Sequence, residues 1–135
     1  MAALTADRDT KERSGSKLSL PVAASVTCYA GGLAARDGNG RATPGATATT
    51  LRGVGRFAEQ VTNGTTAGAV NVEIEKGIFR FNNSTSTDAI TAANIGADCY
   101  IVDDQTVALT NGSSSRSVAG KIFDVDSSGV WVDMR

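Results

Sequence analysis

The residues best suited to coordination chemistry are Asp124 and Asp126, spaced Asp124-x-Asp126-x-x-Gly129, because alternate carboxylates can converge on a hard cation. The bidentate Glu that completes a calcium loop does not follow, so the pattern reads as a solvated hairpin turn. Asp103-Asp104 offers a second carboxylate pair, but adjacent residues on a strand point to opposite faces, and this pair also reads as a turn. Gly53-x-Gly55 lacks the third glycine and the following helix of a dinucleotide loop; its glycines read as strand positions that let another backbone come close. Cys28 and Cys99, each followed by Tyr, have no basic cluster nearby to activate a thiolate and read as small buried hydrophobes. The chain has no His, which removes the usual general base, imidazole zinc sites and a Ser-His-Asp triad together. No constellation supports catalysis, a cofactor or a metal, so function is expected in surfaces.

Composition narrows the partners. Thirteen Lys and Arg stand against 14 Asp and Glu, a net charge of -1, which gives no uniform field to attract a nucleic acid. No apolar run approaches the roughly 18 residues needed to span a membrane. Two Cys cannot build a disulfide framework and fit synthesis in a reducing compartment. The stretch from Lys11 to Cys28 resembles a lipoprotein leader only superficially. Asp7, Asp9 and Glu12 oppose a positive leader, Pro21 interrupts the apolar run, and Thr27 stands where a small residue is wanted. Asn63, Asn82, Asn83 and Asn111 begin glycosylation triplets but read as polar loops.

The elements that carry these residues are strands. Of the 41% of residues that are hydrophobic, 20 are Ala, so the core is thin. Beyond Lys17 the vocabulary is β-branched, with 12 Val, 6 Ile and 13 Thr against 5 Leu. Val70-Asn-Val-Glu-Ile-Glu75 alternates cleanly, so Val70, Val72 and Ile74 share one face, expected to be buried with Phe79 or Phe81 and Phe123. Lys76-Gly77 then marks a bulge or a tight turn before Ile78-Phe-Arg-Phe81. Further strands are expected over 17–20, 26–33, 50–60, 99–102, 106–110, 118–125 and 130–133, separated by turns such as Asp37-Gly-Asn-Gly40 and Ser127-Ser-Gly129. A faint repeat relates Cys28-Tyr29 and Val54-Gly-Arg-Phe57 to Cys99-Tyr100 and Ala119-Gly-Lys-Ile-Phe123. The expectation is an all-β domain over 17–135, a small barrel or sandwich, with one short helix near Asp88 to Ile95.

Residues 1–16 hold one Leu and a mixed-charge run and cannot bury themselves, so they read as a flexible N-terminal arm. Its Asp7, Arg8, Asp9, Lys11, Glu12 and Arg13 are the candidate partner-binding residues, suited to paired contacts with charged groups on a neighbour.

Three segments carry a family resemblance: Val70 to Phe81; Asp88-Ala-Ile-Thr-Ala-Ala-Asn-Ile-Gly-Ala-Asp-Cys-Tyr-Ile-Val-Asp-Asp104; and Ala119-Gly-Lys-Ile-Phe-Asp-Val-Asp-Ser-Ser-Gly-Val-Trp-Val132. In order and composition they resemble the capsid cement, or head decoration, proteins of tailed bacteriophages, over roughly Lys17 to Val132. The resemblance implies a barrel-like fold, often trimeric, on the outside of the shell, reinforcing contacts between major capsid protein subunits. It implies a virion protein made in the host bacterial cytoplasm, with no enzyme activity and no cofactor. The charged arm and the long Gly/Thr segment from Arg36 to Thr50 are additions to the shortest members. Two other surface functions suit the same composition: a structural β-module of the tail or baseplate, and a carbohydrate-binding domain using Trp131.

Overall fold

The computed structural model describes residues 2–135. Its twelve strands are β1 (Lys17–Pro21), β2 (Thr27–Cys28), β3 (Leu33–Arg36), β4 (Ala42–Pro44), β5 (Arg52–Phe57), β6 (Val61–Thr62), β7 (Asn71–Glu75), β8 (Ile78–Phe81), β9 (Asp98–Ile101), β10 (Val107–Ala108), β11 (Val118–Asp126) and β12 (Gly129–Asp133). They form two five-stranded antiparallel sheets, β1-β7-β5-β3-β4 and β10-β9-β11-β12-β8, and a small sheet of β2 and β6. In each large sheet the outer strands meet through one parallel bridge, Val22 to Ala42 in the first and Asn82 to Thr106 in the second. The sheets therefore curl without closing. The all-β fold is as expected, and the barrel is open.

Two hydrophobic cores result. The first gathers Val22, Cys28, Ala34, Ala42, Phe57, Val72 and Ile74. The second gathers Phe81, Ile90, Cys99, Ile101, Val107, Ala119, Ile122, Val130, Val132 and Met134, together with Leu33 and Ala35. Strand β3 joins them because consecutive strand residues alternate faces: Ala34 serves one core, Leu33 and Ala35 the other, and all three are fully buried.

The strand reading needs three corrections. Val70 lies before β7 and is 38% exposed, so only Val72 and Ile74 occupy the buried face. Phe79 and Phe81 belong to the second core, apart from Ile74. Phe123 is 53% exposed, because the register slips between Ile122 and Asp124 and a bulge turns Phe123 outward. Of the two alternatives at Lys76-Gly77, the tight turn is excluded, since β7 and β8 do not pair and the chain bends there from the first sheet into the second. The repeat gains no support either, since Cys28 lies in the small sheet and Cys99 in the second large one.

The expected helix near Asp88 to Ile95 is replaced by two 3₁₀ turns, Ser86–Asp88 and Ala92–Asn94. The Asn83 side chain divides the segment. Its carbonyl accepts from Ile90 N–H at 2.9 Å and its amide donates to Ile90 C=O at 2.8 Å, which removes both groups from any helical ladder. Ile90 is thereby delivered to the second core. Strand β4 interrupts the segment expected to be a long loop, and Pro44 within it conceals the strand from propensity.

Candidate interaction surface

The arm leaves the domain at the edge of the first sheet, where Gly15 and Ser16 bend away from β1. Residues 2–16 hold no strand or helix and are exposed throughout. Of the six charged candidates, only two are brought together: Lys11 Nζ lies 3.1 Å from Asp9 Oδ2, with side-chain exposures of 90% and 92%. A local bond from Thr10 N–H to Arg8 C=O shapes the middle of the arm. Asp7, Arg8, Glu12 and Arg13 make no ion pair among the described residues, so four charges stand free in solvent.

The motifs weighed for metal or nucleotide chemistry are occupied in folding. Asp126 Oδ1 accepts from Ser128 N–H at 2.7 Å and Gly129 N–H at 3.1 Å, closing the β11–β12 hairpin. Its Oδ2 accepts from the Trp131 indole at 2.9 Å. The indole, then the Ser128 amide, hold this carboxyl below the usual carboxylate range. Asp103 Oδ1 accepts from Gln105 N–H at 2.9 Å in the β9–β10 turn. Trp131 is half-buried, with Arg80 lying 5.7 Å from its ring, so it does not present a free aromatic platform. Burial pushes the Cys28 thiol up to about 11 and Cys99 to about 12, and both remain protonated at neutral pH.

Sequence reasoning missed two polar ties. Asn63, expected in a polar loop, is buried and its amide nitrogen lies within 3.0 to 3.1 Å of the carbonyls of Val22, Ala23 and Thr66. Asp88 accepts from the Thr110 hydroxyl and from Arg116 at 3.3 Å, and the Thr110 bond, followed by Arg116, holds its carboxyl low. Arg116 reaches Asp88 because Gly112, Ser113 and Ser114 all take positive φ, which folds the 111–115 loop tightly back. The Asn111-Gly112 turn signal marked that loop; nothing in the sequence paired it with Asp88.

Groups able to meet another molecule are thus the arm, the sheet edges and a few apolar side chains, with Tyr29 56%, Ile95 49% and Phe123 53% exposed. Comparison with family models, curated proteins and solved structures finds no match.

Proposed function

We propose that this chain is a structural, non-enzymatic component of a bacteriophage head: a decoration or cement protein that sits on the outside of the shell and ties major capsid protein subunits together. The observation that carries this reading is the arm, residues 2–16, exposed along its length and leading directly into edge strand β1. A segment with unpaired charges and almost no apolar surface has no hydrophobic gain from folding on its own domain, and its free charges are suited to ordering against a neighbour. The resemblance of residues 17–132 to cement proteins supplies the kind of neighbour. The protein acts as a homotrimer on the capsid surface after synthesis in the host cytoplasm, without nucleic acid, membrane or cofactor. Avidity across three arms offsets the entropy of ordering each one, because exposed ion pairs contribute only about 0 to 1 kcal/mol apiece.

The test is binding of labelled protein to undecorated heads, with tails and a glycan array as parallel targets. Heads should be decorated and the other two left bare. Removing residues 1–16 should lower head occupancy, most visibly at low salt, and the difference from the full chain should narrow at high salt, where screened ion pairs weaken. Preferential binding to tails or glycans would replace the reading, and undiminished decoration by the truncated chain would move attachment to the domain loops.

A further inference from the structure

Strands β7 and β8 follow one another across Lys76 and Gly77, and the run of residues 70–82 presents two edges with different histories. On the odd-numbered edge, Glu73 accepts from Ala58 beside β5, and beyond the sheet change Gly77 accepts from Met134, continuing the pairing with β12. On the even-numbered edge, Val70 accepts from Val22, Val72 and Ile74 pair with Leu20 and Leu18, and Lys76 N–H donates to Ser16 C=O at 2.9 Å. Farther along that same edge, Asn82 N–H donates to Gln105 C=O and Asn82 C=O accepts from Val107. Between Lys76 and Asn82, the N–H and C=O groups of Ile78 and Arg80 have no main-chain partner among the described residues.

Among the described residues two sheet edges keep open main-chain groups, β8 at Ile78 and Arg80 and β1 at Lys17 and Ser19, whereas the other two edges are largely covered. On β10, Val107 N–H donates to Asn82 and its C=O accepts from the Ser84 hydroxyl. On β4, Ala42 C=O accepts from Ala23, and Pro44 has no N–H to offer. Pro21 blunts the end of β1. The β8 edge has no proline.

We infer that the gap on β8 is a docking site for the arm's own residues Glu12 to Ser14, which extend β1 across the boundary between the two sheets. The register decides which residues fit. β1 and β7 pair so that Lys17 faces Glu75 and Leu18 faces Ile74. Continued without a slip, the same register sets Ser14 opposite Ile78 and Glu12 opposite Arg80. Non-hydrogen-bonded pairs alternate with hydrogen-bonded ones along an antiparallel ladder, and both positions fall on bonded ones. Glu12 and Arg80 are then direct cross-strand neighbours of opposite charge, and neither makes an ion pair in the undocked arm. Docking stops there because the next bonded position, Asn82, is already taken.

The undocked arm already holds the first bond of this ladder. Lys76 N–H has its bond to Ser16, but Ser16 N–H turns instead to the Ser14 hydroxyl at 3.4 Å, a long contact that is readily exchanged. Gly15, with no atom within 4 Å of where a side chain would sit, leaves the backbone free to straighten. A few added hydrogen bonds stand against the entropy of ordering three residues, so the two states lie close and one ion pair tips the balance. This inference does not depend on the head-decoration reading and is tested without heads.

The experiment is amide hydrogen exchange on the full chain, compared with a Glu12→Pro variant that lacks the N–H needed opposite Arg80. Exchange at Ile78 and Arg80 should be at least about threefold slower in the parent, with Phe79 and Phe81, bonded to β12, unchanged. Arg80→Glu should lose that protection, and Glu12→Arg combined with Arg80→Glu should regain it. Identical rates in parent and Glu12→Pro chains would overturn the inference. So would protection that rises with protein concentration, since the occupant would then be a second copy.

Discussion

Gly53 and Ala119 touch at backbone level: a Cβ built on Gly53 would lie 2.2 Å from the Ala119 carbonyl oxygen and 2.8 Å from its Cα. Gly53 belongs to β5 of the first sheet and Ala119 to β11 of the second, so the sheets meet where a side chain is missing. Neither partner is a flexible side-chain end. Gly53→Ala should therefore force the sheets apart and cost about 2 to 4 kcal/mol in urea unfolding. Gly64→Ala, with nothing within 4 Å, should change stability by less than about 1 kcal/mol.

Ile74 and Glu73 are neighbours on β7 with opposite fates. Ile74 is fully buried in the first core, whereas Glu73 faces Lys17 at 3.6 Å with 45% of its side chain exposed. Ile74→Ala should cost about 2 to 5 kcal/mol and Glu73→Ala about 0 to 1 kcal/mol. Chemical denaturation of the two variants checks the pair, and equal losses would contradict the facing of β7.

What could be read in advance follows the range over which the physics acts. Alternation around Val72 and Ile74, the Asp126 to Gly129 hairpin and the close-approach role of Gly53 are local or steric signals, and each has its counterpart in the fold. Phe123 was misjudged because a bulge shifts the inward and outward alternation by one residue, and bulges depend on the partner strand. The helix near Asp88 failed for a similar reason: Asn83, seven residues before Ile90, bonds it on both sides, and propensity cannot see that contact. For the arm, exposure of its charges was legible in composition. The gap between Lys76 and Asn82 was not, because it exists only once β1, β12 and β10 have each taken part of one strand's edges.

Asn63 holds the first core's rim by directing its amide at the Val22, Ala23 and Thr66 carbonyls. Asn63→Ala should leave buried carbonyls unpaired and cost about 1 to 3 kcal/mol, read as a lower denaturation midpoint. Asn63→Asp should be worse at neutral pH, where a carboxylate would face three carbonyl oxygens, and should recover partly in acid.

Acid should destabilise the fold through Asp88, Asp126 and Asp133, whose carboxyls are held low by Thr110, Trp131 and Arg135 respectively. A depressed folded pKa adds stability that is present above the unfolded value of about 3.9 and disappears as pH falls through the folded one. Asp88→Asn should flatten part of that acid slope in denaturation measured against pH. At the alkaline end the sign reverses. Cys28 and Cys99, raised to about 11 and 12, favour the folded state below the unfolded thiol value of about 8.5, and that advantage fades as pH climbs toward 11 and 12. Neither thiol should react with a thiol reagent until the domain unfolds.

The proposed trimer makes stability depend on concentration. Two small cores replace one larger one, and many of their side chains are Ala, so each subunit has little apolar burial with which to oppose chain entropy. Ile95 and Phe123 remain about half exposed on segments joined by the Gly96 N–H to Ile122 C=O bond at 2.8 Å, leaving apolar surface for a subunit contact to cover. If unfolding is coupled to dissociation of a trimer, mass action favours the separated chains on dilution. Each tenfold dilution should then lower the melting temperature by about 2 to 5 °C, and sedimentation should show trimer giving way to monomer over the same range. A monomer at micromolar concentration with a melting temperature indifferent to dilution would contradict self-association in solution. The same pair of measurements on decorated heads would then decide whether the shell itself assembles the trimer.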